Sequence, residues 1–144
     1  MTVAQQWALH HVGAVLTETD VTWAITGSTA FAMRGVDVVP RDLDIPTDAA
    51  GAYAVQRLLA PHIVAVGPVR YRTAPTIRSH FGRAVVAGVS VEIMGAIEKQ
   101  QQEGPWMCID VAGLIEWIEW EGQAWPVLAL AYEAAAYRAL LGMP

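Results

Sequence analysis

Two carboxylates and two apolar side chains alternate at Asp42–Ile45, and this short stretch constrains the chain most strongly. Alternation with a period of two is typical of a β-strand buried on one face, which places Asp42 and Asp44 together and Leu43 and Ile45 opposite. Two carboxylates this close repel each other unless solvent or a cation screens them. Mg²⁺ suits such a pair because it prefers oxygen ligands and keeps water and substrate phosphates in its shell.

Glu92 lies on the polar face of a second alternating stretch, Val89–Met94. Gly88 precedes this stretch and predicts a hairpin whose other strand is Arg83–Ala87. If Val89–Met94 pairs beside the first strand, three carboxylates converge, and Glu92 joins the two aspartates as a candidate metal ligand. The alternative is a glutamate that faces solvent on the hairpin.

Gly27 and Ser28 follow a predicted strand over Thr22–Thr26 and open a short predicted helix over Thr29–Arg34. Glycine lets the backbone approach a phosphate closely, the Ser28 hydroxyl and amide are able to donate to it, and a helix N-terminus favours an anion. A plain turn is the alternative. Thirteen residues separate Ser28 from Asp42. A phosphate site and a metal site at this spacing suit nucleotidyl transfer from a nucleoside triphosphate.

The chain resembles the DNA polymerase β-like nucleotidyltransferase superfamily. Its signature is an apolar residue, glycine, glycine or serine, a spacer, an alternating acidic strand and a later acid. The matching residues are Ile25-Thr26-Gly27-Ser28, Asp42-Leu43-Asp44-Ile45 and Glu92. The spacer length and the Arg41-Asp42-Leu43-Asp44 ending are similar to those of small antibiotic-modifying and toxin-type nucleotidyltransferases. Here the residue before the glycine is the polar Thr26, and the C-terminal helix carries no lysine.

The resemblance implies an α+β fold with a polymerase β palm-like mixed β-sheet flanked by helices. It also implies a two-metal Mg²⁺ site, with Asp42, Asp44 and Glu92 as catalytic and metal-binding residues. ATP or another nucleoside triphosphate is then the donor substrate, and Gly27 and Ser28 hold its phosphates.

Residues 67–83 are basic and contain no acid, although the protein as a whole is acidic. The segment holds four of the nine basic residues: Arg70, Arg72, Arg78 and Arg83. One interpretation is a solvated loop, and the other is a clamp for the triphosphate or for a phosphorylated acceptor, because arginine binds phosphate bidentately. Arg78 is the preferred ligand because it precedes the Ser79-His80 step into the hairpin. Arg41 is a further phosphate ligand, or an ion-pair partner of Asp37 or Asp42.

Hydrophobic spacing and turn residues predict the remaining elements. Helices are expected over 2–17, over Asp48–Ala60 with Thr47 as N-cap, and over Leu128–Leu141. Pro46 is expected to close the acidic strand, His62–Val66 is a third strand candidate, and a second hairpin is expected over 115–127 around Glu121-Gly122.

Length and composition limit the class of protein to which the chain can belong. The 144 residues fit a single domain over 1–144, and 54% hydrophobic residues exclude a disordered chain. A net charge of −5 argues against binding long nucleic acid. The only cysteine, Cys108, indicates a reducing cytoplasm. The uncharged stretch Met1–Thr17 contains glutamines and histidines and predicts neither a secretory signal nor a membrane span.

Three functional hypotheses remain at this stage. The first is a Mg²⁺-dependent enzyme that moves a nucleoside monophosphate to a hydroxyl of a small molecule, a protein or an RNA end. The second is a catalytically inert, antitoxin-like interaction or regulatory module that binds nucleotide or a partner protein, or else a site completed across a homodimer. The third is a toxin-like transferase that contacts tRNA through Arg70–Arg83.

Overall fold

The computed structural model describes residues 1–62 and 64–140, which form a mixed α+β architecture. The helices are α1 (Val3–Leu16), α2 (Gly27–Met33), α3 (Ala49–Leu59), α4 (Val111–Leu114) and α5 (Leu130–Leu140), with a 3-10 turn over Ala60–His62. The strands are β1 (Leu43–Thr47), β2 (Val64–Thr73), β3 (Ile77–Val86), β4 (Val89–Lys99), β5 (Met107–Cys108), β6 (Ile115–Trp120) and β7 (Gln123–Leu128).

The main sheet is mixed and has the strand order β1-β4-β3-β2, with β5 pairing at the far end of β4. β1 runs parallel to β4, whereas the β2–β3 and β3–β4 pairs are antiparallel. The predicted mixed sheet flanked by helices is thus confirmed. The second hairpin is also confirmed, as the two-stranded sheet β6–β7.

The segment before α2 links the two sheets. The predicted strand over Thr22–Thr26 forms only isolated bridges: Trp23 and Thr26 pair with β1, and Ile25 pairs with Val127 of β7. This segment therefore lies on the side of β1 that faces away from β4. It places Gly27 at the edge of β1.

The core lies between the main sheet and the helices α1 and α3. Alternate residues of β1 and β4 point into it, and the side chains between them point to the opposite face of the sheet. The strand residues Leu43, Ile45, Val91 and Ile93 are buried with Leu9, Val12, Val55 and Leu59 of the two helices. Burial of this face leaves Asp44 and Glu92 together on the other.

Two predicted boundaries near β1 were wrong by one or two residues. Pro46 does not close the strand, because its carbonyl accepts a hydrogen bond from the Ala24 amide and β1 continues to Thr47. The Thr47 hydroxyl donates to the Thr22 carbonyl at 2.6 Å. Asp48 is the N-cap of α3 instead, and its carboxylate accepts from the Gly51 amide at 2.6 Å.

The basic segment 67–83 is not a loop. It forms most of β2 and most of β3. In the third strand candidate, His62–Val66, Ile63 lies outside the described residues. β2 is an edge strand, and exposed arginines such as Arg70 and Arg72 discourage pairing with another chain at such an edge. The arginines therefore lie at fixed positions on a sheet.

The structure also bears on the membrane question. In the described ranges 1–62 and 64–140, no helix is long and apolar enough to cross a membrane.

Gly95 allows α3 to pack directly on β4. A Cβ atom at this position would lie 2.5 Å from the Asp48 carbonyl oxygen and 2.7 Å from the Ala52 Cβ. We expect Gly95→Ala to lower the free energy of unfolding by about 1–3 kcal/mol, because overpacking displaces the helix. Gly67→Ala is the matched control, since the nearest atom to its new Cβ is Arg72 Nη2 at 4.0 Å. Equal urea midpoints for the two variants would contradict this packing.

Candidate active site

The structure brings all three predicted carboxylates together. In the parallel pairing of β1 with β4, Asp44 lies directly opposite Glu92. Asp42 lies two residues before Asp44, just ahead of β1. One carboxylate oxygen from each of the three residues lies within 4.8 Å of the other two. This convergence is the arrangement that the alternating sequence predicted.

The electrostatics of Asp44 fit a site that takes a cation. Burial raises the pKa of Asp44 to about 7, and the negative charges of Glu92 and Asp42 add to the effect. Its Oδ1 atom is buried and has no hydrogen-bond partner among the described residues. An unpartnered buried oxygen is costly, and a bound cation would both satisfy it and remove the repulsion. The three carboxylates therefore fit a hard, oxygen-binding metal ion such as Mg²⁺.

Arg83 contacts the carboxylate cluster directly. Its Nη2 atom donates to Glu92 Oε1 at 2.7 Å. The two residues lie opposite each other in the β3–β4 hairpin. The guanidinium group holds Oε1 of Glu92 and thereby orients this carboxylate beside Asp44.

Gly27 takes a conformation and a position that only glycine suits. Its φ is +72°, and a Cβ atom would lie 3.1 Å from Asp44 Oδ2. The next two side chains fix the turn to the segment before β1. Ser28 Oγ accepts from the Arg41 amide at 3.1 Å, and Thr29 Oγ1 donates to the Asp42 carbonyl at 3.0 Å. The predicted phosphate turn and the predicted metal ligands are therefore adjacent.

Glu133 of α5 is a fourth carboxylate at this site. It is buried, and its Oε1 atom accepts from the Thr26 hydroxyl and from the Gly27 amide, the latter at 3.2 Å. Burial raises its pKa, and the hydrogen bonds from Thr26 and Gly27 oppose that rise. The polar Thr26, which departs from the superfamily signature, thus has a partner on the C-terminal helix.

Sequence reasoning assigned no role to Glu133. The available signal was a lone acid on an alanine-rich helix, which is weak on its own. The same helix also contacts a lysine of the main sheet: Lys99 Nζ donates to the Tyr132 hydroxyl at 3.0 Å. Lys99 lies close enough to Glu133 to lower the pKa of that carboxyl, although burial prevails. α5 therefore brings a carboxylate to the turn, and Lys99 of β4 lies near that carboxylate.

The two arginines predicted to bind phosphate lie in different places. Arg41 is exposed and adjoins Asp42, with its amide bonded to Ser28. Arg78 pairs with Glu98 at 3.0 Å, and its guanidinium lies 4.1 Å from the centre of the Trp106 ring. Glu98 lies six residues beyond Glu92 on β4, so the structure does not bring Arg78 to the carboxylates. Arg83 holds that position instead.

Comparison with known proteins supports the fold and the family. The family model described as aminoglycoside-2''-adenylyltransferase matches residues 8–143. The chain belongs to this family. It is therefore a nucleotidyltransferase of the polymerase β-like superfamily, as the resemblance implied. No curated protein sequence matches the chain.

Solved structures agree with the family assignment. A presumed nucleotidyltransferase from Thermotoga maritima is 35% identical, with a TM-score of 0.89 over 99% of this chain and 88% of that one. The lincosamide antibiotic adenylyltransferase LnuA, solved with lincomycin, is 13% identical, with a TM-score of 0.57 over 94% and 85% of the two chains. The antibiotic-resistance factor ANT(2'')-Ia is 16% identical, with a TM-score of 0.58 over 98% and 75%. The last two share the fold.

The raised pKa of Asp44 predicts how metal affinity depends on pH. Below pH 7 Asp44 carries a proton that a metal ion must displace, whereas above pH 7 the carboxylate is already ionised. Calorimetric titration should show Mg²⁺ affinity rising by up to about tenfold per pH unit below 7 and levelling off above it. Asp44→Asn should lose this dependence. A wild-type affinity that does not change between pH 5.5 and 7 would contradict the assignment.

The contacts of Glu133 predict a structural cost for its removal. Glu133→Ala leaves the Thr26 hydroxyl and the Gly27 amide without their acceptor, so we expect a loss of about 1–3 kcal/mol in the free energy of unfolding. Glu133→Gln keeps an acceptor oxygen and should lose less. Glu119→Ala, which removes an exposed carboxylate from β6, is the control. Denaturant unfolding that ranks all three variants as equal would refute a role for Glu133 in holding the turn.

Proposed function

We propose that this protein is a Mg²⁺-dependent nucleotidyltransferase that moves a nucleoside monophosphate from a nucleoside triphosphate, ATP in the first instance, to a hydroxyl group. The observation that carries the proposal is the convergence of Asp42, Asp44 and Glu92 beside the Gly27 turn. Clustered carboxylates bind divalent cations, and the Ser28 hydroxyl in the turn beside them offers a donor to phosphate oxygens. Nucleotidyl transfer needs both.

The carboxylates divide into two roles in this proposal. Asp42 and Asp44 would hold the metal ions, and Glu92 would share the second of them. When bound, Mg²⁺ neutralises charge on the phosphates and lowers the pKa of an attacking hydroxyl. The unpartnered Oδ1 atom of Asp44 supports its role, because it is buried without any protein donor among the described residues.

The turn would hold the donor. The Ser28 hydroxyl accepts from Arg41, which leaves its own hydrogen free to donate to a tail phosphate. Gly27 keeps the backbone open there, since any side chain would crowd Asp44. The Arg41 side chain is exposed and its amide is bonded to Ser28, so it would supply a positive charge for the same phosphates. Arg78 has no part in this proposal.

The transfer step forms one bond to phosphorus, breaks another and moves one proton. The acceptor oxygen forms a bond to the α-phosphorus, the bond from that phosphorus to the bridging oxygen breaks, and pyrophosphate leaves. The hydroxyl proton passes to Glu92, whose second oxygen is not engaged by Arg83. Arg83 orients Glu92 through its hydrogen bond to Oε1.

The family name and the adenylyltransferases among the solved structures favour ATP as the donor. An inert, antitoxin-like module is disfavoured because the clustered carboxylates repel one another. A module that binds no metal would have nothing to offset this repulsion. The free and exposed Cys108 supports a reducing cytoplasm as the place of action.

Calorimetry with ATP and with GTP, with and without Mg²⁺, tests the proposal. We expect Mg²⁺-dependent binding to the wild type, and a loss of at least about 1.4 kcal/mol, tenfold in Kd, in Asp42→Ala/Asp44→Ala. Asp20→Asn changes an exposed aspartate elsewhere and should bind as the wild type does. The comparison of ATP with GTP reports base preference. Failure of the wild type to bind either triphosphate in Mg²⁺ would refute the proposed function.

A further inference from the structure

The face of the main sheet that carries Asp44 and Glu92 also carries a row of arginines. Arg70 of β2, Phe81 of β3 and Met94 of β4 lie directly across from one another, and Glu92 lies two residues along from Met94. Cross-strand neighbours share a face, and so do residues two apart on one strand. Arg70 and Glu92 are therefore on the same face of the sheet.

Arg72 shares this face, and its contacts show it directly. The guanidinium of Arg72 lies 5.1 Å from the centre of the Phe81 ring, and that of Arg83 lies 5.8 Å from it. Tyr71, between the two β2 arginines, instead packs against His80 on the other face. Phe81 thus holds two guanidinium groups in place by cation–π contact.

Arg70 and Arg72 carry positive charge that the described part of the chain does not neutralise. Both are exposed, and neither takes part in an ion pair among the described residues. Arg83 in the same group is paired with Glu92 and links the arginines to the carboxylates. An exposed cluster of this kind favours an anionic ligand.

The sheet order separates these arginines from the donor phosphates. The segment that leads into Gly27 pairs with β1 on one side, and β4, β3 and β2 follow on the other. The carboxylates on β1 and β4 lie between the phosphate turn and the arginines. A triphosphate tail at Gly27 and Ser28 would lie on the opposite side of the carboxylates from β2, which leaves Arg70 and Arg72 on the side open to an acceptor.

The distance across the sheet limits what an acceptor can be. Two strand spacings and two residues along the strand place the Cα atoms of Arg70 and Glu92 about 12 Å apart. An acceptor that fits this face presents a hydroxyl at Glu92 and separate anionic groups to Arg70 and Arg72. A phosphodiester strand does so, because it has a terminal hydroxyl and a phosphate at each following unit.

The geometry points to a nucleic acid acceptor: the single-stranded end of an oligonucleotide whose terminal ribose hydroxyl lies at Glu92 and whose nearby phosphates lie on Arg70 and Arg72. This inference rests on the proposed function and names its acceptor class. An aminoglycoside fits poorly, because its ammonium groups would face these arginines. The net charge of −5 is compatible with the inference, since the contact involves a few terminal phosphates and no long duplex.

Fluorescence anisotropy of a labelled single-stranded oligoribonucleotide at low salt tests the inference without requiring chemistry. We expect Arg70→Glu and Arg72→Glu each to weaken binding about tenfold. Arg70→Ala should also lower the slope of log K against log salt by about 0.7, the value for one lost phosphate contact on a single strand. Arg57→Glu is the control, because Arg57 is exposed on α3, which covers the opposite face of the sheet. Thermal melts of every variant report folding.

Two outcomes would overturn the inference: no oligonucleotide binding by the wild type, or equal binding by Arg70→Glu, Arg72→Glu and Arg57→Glu. A second arm adds α-labelled ATP and Mg²⁺ and offers the oligonucleotide, an aminoglycoside or a sugar phosphate as acceptor. Transfer to either small molecule in preference to the oligonucleotide would also overturn it. The Mg²⁺-ATP titration, which should be unchanged in Arg70→Glu, separates failure of the acceptor assignment from failure of the proposed function.

Discussion

The parallel pairing of β1 with β4 is the constraint on which the site depends. It places Asp44 opposite Glu92, while Leu43, Ile45, Val91 and Ile93 are buried between the sheet and two helices. Because side chains alternate along a strand, burial of the apolar set forces the carboxylates onto the other face. A shift of one residue in register would expose the core. Hydrophobic burial thus maintains a cluster of negative charges that is unfavourable by itself.

The rest of the site forms around that cluster. On one side, the segment paired with β1 positions Gly27, and Glu133 from α5 secures the turn through Thr26. On the other side, Arg83 of β3 binds Glu92. Each neighbour comes from a different part of the chain, so folding of both sheets and of α5 is needed before the site is complete. A single-metal or two-metal chemistry would then act between the donor turn and the arginine-bearing strands.

The local parts of this site follow from the sequence, and the tertiary parts do not. Alternation predicts Asp42, Asp44 and Glu92, whereas the position of Arg83 opposite Glu92 depends on the two-residue turn at Ala87-Gly88, which the predicted strand Arg83–Ala87 does not contain. The position of Arg78 just before the predicted hairpin favours it as a phosphate ligand. However, β3 and β4 extend further than predicted, and Arg78 pairs with Glu98 near their far ends. Glu133 is 107 residues from Thr26, and no local pattern indicates such a contact. The candidate strand His62–Val66 overlaps only the start of β2, because the exposed arginines further along β2 are also typical of a solvated loop.

A crystal structure with Mg²⁺ and a non-hydrolysable ATP analogue would show whether the carboxylates and the turn bind the donor together. We expect metal density bound by Asp42 and Asp44, with the tail phosphates at Gly27 and Ser28 and the α-phosphate facing Glu92. Density for the nucleotide at any other part of the chain, or a metal that does not contact the two aspartates, would contradict the proposed site.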